Sequence, residues 1–340
     1  MSVVYNRNYL SYRILLAIFS YICRWKHSFI ANMTLQQLQY VTAVCRMRHF
    51  AKAAKECGVT QPTLSAMIRK LEDELGVTLF ERSAQQVEPT PAGLIVAEQA
   101  QAMLKCERRI KEMIAERQQS TAGTFRLGIL PTIAPYLLPR FMPGLHKTHP
   151  DINMHVVEMK TARLAEALVR GEIDAAVAVN IGGLPNLKQT VLFYEQFVGY
   201  VSRDSNLFGK SRIVVSDLKH EQLWLLEEGH CFRDQLVRFC NLKTAGNSKA
   251  NYLLGSIETF MRMVERGQGV TFIPELALEQ LTERQRELAR PFGLPIPVRE
   301  VVMLTAKNFL RKSLLDIITD AVMSSVPERM LKMNNTEQRI

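Results

Sequence analysis

The chain has 340 residues, of which 47% are hydrophobic and 22% are charged, as in ordinary soluble proteins of two or three domains. Its formal charge of +10 favours a polyanionic partner such as DNA. The six cysteines include no C-x-x-C pair, which argues against a disulfide framework and against a zinc site.

Residues 1–32 do not match the rest of the chain. The stretch 14–22 is mostly apolar, but it is too short to span a bilayer, which takes roughly 17–25 residues. Positive charge follows this stretch and no A-x-A-like cleavage site does, unlike in a signal peptide. We expect residues 1–32 to be an over-long start assignment or a disordered extension, with Met33 as the natural start.

Residues 33–91 predict a small helical domain with a β wing. Apolar residues recur at helical spacing from Leu35, and a second short helix follows from Phe50 to Cys57. A third helix runs from its N-cap at Thr60 to about Leu75. The stretch from Thr78 to Pro91 is typical of a short β-hairpin.

The second and third helices have the spacing of a helix-turn-helix. Ala54 is small where the two helices cross, Gly58 takes the tight turn, and Leu64 packs back under the first helix. The start of the third helix then presents polar side chains to the major groove, where they suit bases and phosphates. The expected DNA contacts are Thr60, Gln61, Pro62, Thr63, Ser65, Arg69, Lys70 and Arg82. The alternative is an ordinary pair of packed helices.

Residues 92–122 predict a linker and dimerisation helix followed by a hinge. No proline interrupts the helical pattern between Pro91 and about Gln118. This length exceeds that of the usual globular helix, which favours a linker or a dimer contact. The residues from Gln118 to Gly123 are polar and small, as in a hinge.

Residues 123–326 alternate between strand and helix patterns. Such alternation favours parallel sheets built from βαβ units, and therefore an α/β domain. The expected strands lie at 125–130, 152–158, 173–179, 197–201, 223–226, 270–273 and 301–305. The expected helices lie at 136–146, 161–170, from about 231, and at 257–265. Residues 327–340 predict only a polar tail.

Cys231 is the residue most suited to chemistry. It stands between His230 and Arg233, follows a glycine, and precedes a helical pattern. Cationic neighbours and a helix N-terminus both lower the pKa of a thiol, and the thiolate is its reactive form. We therefore expect a reactive cysteine here.

Cys240 lies nine residues further on. If the intervening segment is helical, the two cysteines are separated by roughly 13 Å of rise, whereas a disulfide needs Cα atoms within roughly 4.4–6.8 Å. The pair can join only if the segment rearranges, as a redox switch requires. One alternative is that both are buried structural cysteines with no redox role. The other is a metal site, for which further ligands are not evident nearby.

Three sequence strings resemble the N-terminal winged helix-turn-helix of LysR-type transcriptional regulators. They are A-A-K-E-C-G-V-T-Q-P-T-L-S from Ala53, R-K-L-E-D-E-L-G-V-T-L-F-E-R from Arg69, and P-T-P-A-G from Pro89. The resemblance extends from Met33 to about Val326. It implies a linker helix that pairs two subunits, and a regulatory domain similar to periplasmic binding proteins, with two α/β subdomains and a cleft.

Within that family, the second half resembles the OxyR-type peroxide sensors. The matching strings are G-I-L-P-T-I-A-P-Y-L-L-P from Gly128, E-M-K-T-A-R-L from Glu158, and E-E-G-H-C-F-R-D-Q from Glu227. The resemblance implies that Cys231 is the peroxidatic cysteine and Cys240 the resolving one. It also implies a peroxide pocket lined by Thr132 and Thr161, and a polar shell around the thiol formed by His230, Arg233 and Asp234.

The sequence departs from the OxyR-type pattern at one position of this implied pocket. These sensors carry an arginine late in the return strand near the thiol, and here Lys307 is the nearest candidate. Lysine would keep the charge but lose the planar fork of arginine. Thr132 and Thr161 are also expected to be N-caps of helices that face the cleft.

The resemblance also implies the partners of the chain. They are double-stranded DNA with a dyad-symmetric site, a second copy of the chain in a dimer or a tetramer, RNA polymerase, and a cellular thiol reductant. We expect a cytoplasmic location, with no membrane partner, no cofactor and no metal. Two alternatives are a LysR-type regulator that binds a small organic effector in the cleft, and a thiol peroxidase, which would need a recycling partner but no helix-turn-helix.

Overall fold

The computed structural model describes residues 33–82, 87–118, 120–180, 182, 186–240, 256–267 and 269–340. The chain divides into two compact units, Met1–Lys111 and Glu112–Ile340. The predictions for residues 1–32 lie outside the described residues, as does part of the expected hinge. In the stretches that are described, no helix is long and apolar enough to cross a membrane.

The N-terminal unit is a three-helix domain with a β-hairpin, and the prediction of a winged helix-turn-helix is confirmed. Its strands β1 and β2 pair antiparallel, with Phe80 opposite Pro89. The elements are α1 Leu35–Met47, α2 Phe50–Glu56, α3 Gln61–Leu75, β1 Phe80–Arg82, β2 Val87–Pro89, and the long helix α4 Pro91–Arg117.

Local capping explains where these helices begin and end. Thr34 caps α1 by accepting a hydrogen bond from the backbone N–H of Gln37, whose side chain accepts one from the Thr34 N–H in return. Thr60 caps α3 through the N–H of Thr63. Gly76 ends α3 with φ of +68°, a left-handed conformation that glycine adopts without strain.

The core of this unit lies between α1, α2, α3 and the start of α4. Ala54 and Leu64 are buried at the helix crossing, as the pattern predicts. Gly93 near the start of α4 allows a close approach, because a Cβ at this position would lie 2.1 Å from the carbonyl oxygen of Leu79. The shared cluster includes Val41, Val44, Ala53, Ile68, Leu71 and Phe80.

The C-terminal unit contains an eight-stranded mixed sheet. Its strands follow the order β4-β3-β5-β9-β6-β7, while β8 pairs with β6 and β10 pairs with β9. They are β3 Gly123–Ile129, β4 Ile152–Glu158, β5 Ala175–Val179, β6 Leu187–Val201, β7 Val270–Pro274, β8 Ala289–Pro291, β9 Ile296–Ala306 and β10 Glu337–Arg339. The helices are α5 Ala134–Thr148, α6 Thr161–Arg170, α7 Cys231–Phe239, α8 Ile257–Glu265, α9 Glu283–Arg286 and α10 Lys312–Ser325.

The expectation of parallel sheets is correct only for part of this unit. The pairs β3–β4, β3–β5 and β9–β10 are parallel, whereas β5–β9, β6–β9, β6–β7 and β6–β8 are antiparallel. Strand β6 pairs with β9 through Gln196 and with β7 from Phe197 onward, so one long strand serves both halves of the sheet. The two α/β subdomains are therefore joined by continuous strands.

Several element predictions need correction. The first part of β6 was missed because exposed polar side chains precede the apolar run. Residues 223–226 do not form a strand, and Leu223 makes only an isolated bridge to Val270. Residues 327–340, predicted as only a polar tail, contain the buried Met330 and the strand β10.

Candidate functional site

The thiol of Cys231 lies at the start of a helix, as the sequence predicts. Cys231 is the first residue of α7, with His230 at the N-cap position. Its side chain is buried, with 8% relative exposure, within the core of the C-terminal unit. A small oxidant would therefore have to reach the sulfur in a largely desolvated site.

The pKa of this thiol differs from the sequence expectation. Burial raises the pKa of Cys231, and this effect outweighs the Thr161 hydroxyl, the Arg299 guanidinium and the Phe232 backbone N–H, which lower it. The Asp234 carboxylate raises it further. The prediction of a lowered thiol pKa is wrong, because a neighbour pattern contains no information about desolvation.

A buried arginine that the sequence analysis missed is the cation beside the thiol. Arg299 lies in β9 with 1% relative exposure, and its guanidinium carbon is 5.0 Å from the ring centroid of Phe232 in α7. Lys307, the residue predicted for this role, is exposed after the end of β9. The pair Arg299–Glu300 among apolar strand residues was the available signal, since charges inside a buried strand need partners.

Arg299 is held by a carboxylate and by a pocket residue. Its Nε atom lies 2.7 Å from Glu195 Oε2, and its Nη2 atom lies 2.6 Å from the same oxygen. It also donates to the hydroxyl of Thr132 at 3.1 Å and to the carbonyl of Thr132 at 3.0 Å. Because the Thr132 hydroxyl accepts from Arg299, its own hydrogen remains available to another oxygen.

The two predicted pocket threonines are both buried after the ends of adjacent parallel strands. Thr132 follows β3 and Thr161 follows β4. The Thr161 hydroxyl interacts with the Cys231 thiol and makes no regular hydrogen bond to another described group. The expectation that both are also helix N-caps is wrong, because Ile133 and Lys160 hold those positions.

The other predicted shell residues differ in their environment. His230 is buried, its Nε2 lies 3.7 Å from Glu227, and burial and the nearby Lys160 ammonium lower its pKa. Lys160 itself pairs with Glu227. We therefore take His230 to be neutral near pH 7.

Arg233 does not direct its charge to the thiol. Its guanidinium pairs with Glu228 and with Asp234, each at 3.4 Å. The carboxylate of Asp234 is half exposed. These two residues lie close to the sensor cysteine in sequence, but the charge that stabilises a Cys231 thiolate comes from Arg299.

Cys240 lies at the opposite end of the same helix. It is the C-cap of α7, it is buried, and burial raises its pKa to about 12. Cys231 and Cys240 are both free cysteines. Nine residues of helix correspond to roughly 13 Å of rise, so the structure represents the reduced conformation.

Aromatic contacts and one amide hold α7 in place. The Phe232 ring packs on Phe197 with centroids 4.7 Å apart, and the Phe239 ring meets Phe292 edge to face at 6.0 Å. Between them, the Gln235 side-chain amide donates to the backbone carbonyl of Ile340 at 2.7 Å. Unwinding α7 would disrupt these contacts.

The remaining described cysteines do not resemble the sensor site. Cys45 and Cys57 are half-buried, and burial raises the pKa of both thiols, to about 11 for Cys45. Cys106 is exposed on α4. No group of three or more His, Cys, Asp or Glu side chains that could hold a metal occurs among the residues that the structure describes.

The predicted DNA-contacting surface is exposed at the start of α3. Thr60, Gln61, Pro62 and Thr63 are exposed, and the Thr60 and Thr63 hydroxyls lie 2.8 Å apart. Ser65 is half-buried one turn on.

Two basic side chains extend this surface along α3. Arg69 and Lys70 are exposed, and Lys70 lies 3.9 Å from Glu74. Arg82 belongs to β1, but its side chain lies outside the described part of the structure. The surface is small, polar and basic, as a major-groove contact requires.

Two family models match most of the chain. Residues 35–94 match the model described as "Bacterial regulatory helix-turn-helix protein, lysR family". Residues 118–322 match the model described as "LysR substrate binding domain". The first match lies within the N-terminal unit and the second within the C-terminal unit.

Curated relatives match over most of their length. The chain is 36% identical over 272 residues to the "Hydrogen peroxide-inducible genes activator" of Pectobacterium carotovorum subsp. carotovorum, with 80% of this chain and 90% of that protein covered. It is 33% identical over 290 residues to the "DNA-binding transcriptional dual regulator OxyR" of Escherichia coli strain K12, with 85% and 95% covered.

Solved structures of OxyR proteins are also similar to this chain. A full-length OxyR variant from Pseudomonas aeruginosa is 33% identical with a TM-score of 0.66, and 85% of this chain and 94% of that chain are covered. OxyR from Porphyromonas gingivalis is 44% identical with a TM-score of 0.61, and 64% of this chain and 99% of that chain are covered.

Proposed function

The chain belongs to the LysR family of bacterial transcription regulators, and we propose that it senses hydrogen peroxide through a reversible disulfide between Cys231 and Cys240. One observation carries this proposal. A buried thiol at the start of α7 faces a hydroxyl and a buried guanidinium, while a second buried thiol ends the same helix. The relative named "Hydrogen peroxide-inducible genes activator" supports a response to peroxide.

The first step is attack of the Cys231 thiolate on one oxygen of hydrogen peroxide. A sulfur–oxygen bond forms, the oxygen–oxygen bond breaks, and hydroxide leaves, so that Cys231 becomes a sulfenic acid. Arg299 and Thr161 stabilise the negative charge on sulfur. The Thr132 hydroxyl, polarised by Arg299, can donate to the departing oxygen.

The raised thiol pKa is compatible with this step. Only a small fraction of Cys231 is ionised near pH 7, but the nucleophilicity of a thiolate increases with its pKa. Arg299 and Thr132 would stabilise the negative charge that moves from the sulfur to the departing oxygen during the attack. Burial also favours a small oxidant over a bulky hydroperoxide.

The second step is attack of the Cys240 thiol on the sulfenic sulfur. A disulfide forms and water leaves, so one peroxide oxidises two thiols and yields two waters in total. The helix between the two cysteines must unwind, because its ends lie too far apart for a disulfide. The resulting change in α7 is the signal. A cellular thiol reductant ends the signal by reducing the disulfide back to two thiols.

The output of this switch is transcription. The α3 surface binds DNA, and a dimer or tetramer places copies of it on a dyad-symmetric promoter site. The change in the regulatory unit alters the spacing of these copies and thereby the contact with RNA polymerase. We propose that the chain is a cytoplasmic regulator and not an enzyme, since one oxidation per signal is sufficient.

Thiol alkylation with peptide mass mapping tests this function. Purified full-length protein is treated briefly with one equivalent of hydrogen peroxide, and we expect a new link between Cys231 and Cys240. The variants Cys231→Ser and Cys240→Ser should both lack it. If Cys231 stays reduced, or oxidises no faster than the exposed Cys106, the peroxide-sensor function is excluded, and a small organic effector in the cleft becomes the better explanation.

A further inference from the structure

The segment 327–340 lies on the sheet and touches α7 at its last residue, through one hydrogen bond. Strand β10 lies parallel to the start of β9, with Glu337 opposite Ile296 and Arg339 opposite Val298. The backbone N–H of Ile340 donates to the carbonyl of Val298 at 3.1 Å. A main-chain oxygen of Ile340 accepts a hydrogen bond from the side-chain amide of Gln235 in α7 at 2.7 Å.

Other contacts anchor this segment to the sheet instead of the helix. Gln196 donates to Glu337 at 2.7 Å, and Arg339 pairs with the buried Glu300 at 3.1 Å. The side chain of Met330 is buried in the core of the unit. The segment is thus a built part of the regulatory unit, and the Gln235 contact links it to α7.

The position of Gln235 makes this contact sensitive to the redox state. Gln235 follows Cys231 by one helical turn, and both side chains are on the buried face of α7. Its amide is buried, so its hydrogen bond to Ile340 is not readily replaced by water. Bringing Cys240 to Cys231 has to break the helix between them, and Gln235 lies within that stretch.

We propose that residues 327–340 form a latch that stabilises the reduced conformation and is released when the Cys231–Cys240 disulfide forms. This inference rests on the proposed function. The oxidation is the one already described, in which one hydrogen peroxide accepts two electrons from two thiols and yields two waters. The latch adds a second moving element to the switch, namely the segment that includes β10.

Thermodynamic linkage gives the latch a second consequence. If docking of the segment lowers the equilibrium constant for disulfide formation by some factor, then disulfide formation must lower the equilibrium constant for docking by the same factor. Weakening the latch should therefore favour the disulfide. The loss of one net hydrogen bond corresponds to a shift of about fivefold in the thiol–disulfide equilibrium.

Hydrogen–deuterium exchange on the full chain tests the release. Reduced and peroxide-treated samples are compared for peptides covering 331–340, and the disulfide is mapped by mass in the same samples. We expect at least roughly fivefold faster exchange after oxidation, because the amide of Ile340 loses its partner. The variant Cys240→Ser, which cannot form the link, should show no change.

The variant Gln235→Ala tests the linkage. We expect faster exchange of this segment already in the reduced form, and an equilibrium with glutathione shifted about fivefold towards the disulfide. Gln280→Ala controls for the loss of a glutamine side-chain donor, because Gln280 donates its amide at the surface to the carbonyl of Pro135, away from α7. An equal shift in both variants would overturn the latch.

The outcomes separate the two proposals. If the disulfide forms while exchange of peptides 331–340 is unchanged, the latch is wrong and the sensor function stands. If no disulfide forms between Cys231 and Cys240, the sensor function is wrong and the latch falls with it.

Discussion

At the scale of single residues, the site depends on a balance between burial and a few polar neighbours. Burial raises the pKa of Cys231, while Arg299 and Thr161 oppose this effect without overcoming it. The same burial makes each neighbour more effective, because charges interact more strongly away from water. The reactivity of the thiol should therefore depend on pH and on individual side chains.

The pH dependence follows from the direction of the pKa shift. Because the pKa of Cys231 is raised, its thiolate fraction is small at pH 6–8 and grows about tenfold for each pH unit. The second-order rate constant with hydrogen peroxide should rise accordingly, with no plateau below pH 8. Stopped-flow oxidation of full-length protein measures it, and a plateau near pH 6 would mean that the thiol is already ionised there.

The Thr161 hydroxyl is the neighbour whose removal should affect chemistry more than stability. Since it interacts with the thiol and has no other regular hydrogen bond, Thr161→Val should reduce the peroxide rate constant by about tenfold with little change in unfolding free energy. Thr271→Val is the control, because its buried hydroxyl bonds the Trp224 carbonyl instead. Equal rates in Thr161→Val and the unmodified protein would contradict this role.

Arg299 and Glu195 should show strong coupling in stability. Arg299→Met leaves the buried Glu195 carboxylate without its cation, which costs about 3–5 kcal/mol of unfolding free energy. Adding Glu195→Gln removes that charge and should recover part of the loss. Urea unfolding of the two single variants and the double variant forms the cycle, and strictly additive effects would refute the coupling.

At the scale of elements, α7 is the proposed sensor and also the part that the proposed disulfide would have to rearrange. Its ends carry the two cysteines, and its buried side chains contact β6, β9 and residues 292 and 340. These contacts stabilise only the helical, reduced form. Weakening any of them should shift the equilibrium towards the disulfide.

Phe239, the last residue of α7, offers a direct test. Phe239→Ala removes its edge-to-face contact with Phe292, worth about 0.5–1.5 kcal/mol beyond buried area. The thiol–disulfide equilibrium with glutathione should then shift roughly 2–10-fold towards the disulfide. Phe309→Ala removes a similar contact with Phe125 away from α7 and should leave the equilibrium unchanged.

At the scale of the whole molecule, the two compact units carry different tasks. The core of the N-terminal unit lies under α3, while the sensor chemistry lies entirely within the C-terminal unit. Damage to one core should therefore separate DNA binding from peroxide chemistry.

The fully buried Ile68 allows this separation. Ile68→Ala should destabilise the N-terminal unit by about 2–5 kcal/mol and weaken DNA binding, because a cavity forms beneath α3. The rate of Cys231 oxidation should not change. Fluorescence anisotropy on operator DNA and stopped-flow oxidation measure the two properties, and a parallel loss of both would show that the units do not act independently.

The sequence by itself was sufficient for features set by neighbours a few residues apart. The helix-turn-helix, the cap at Thr60 and the start of α7 at Cys231 all depend on local pattern, and the structure agrees with them. The helical pattern from about Cys231, together with the position of Cys240 nine residues on, likewise indicates that the two thiols are far apart. Periodicity and capping are set by residues a few positions apart, so they can be read from the sequence alone.

Only the tertiary structure decided the environment of the sensor thiol. Arg299 reaches Thr132 across 167 positions of sequence, and its carboxylate partner, Glu195, lies on another strand. The raised pKa of Cys231 and the hydrogen bond from Gln235 to Ile340 also depend on distant partners. Desolvation and buried charge pairing are properties of the packed interior, so no local pattern around residue 231 contains them.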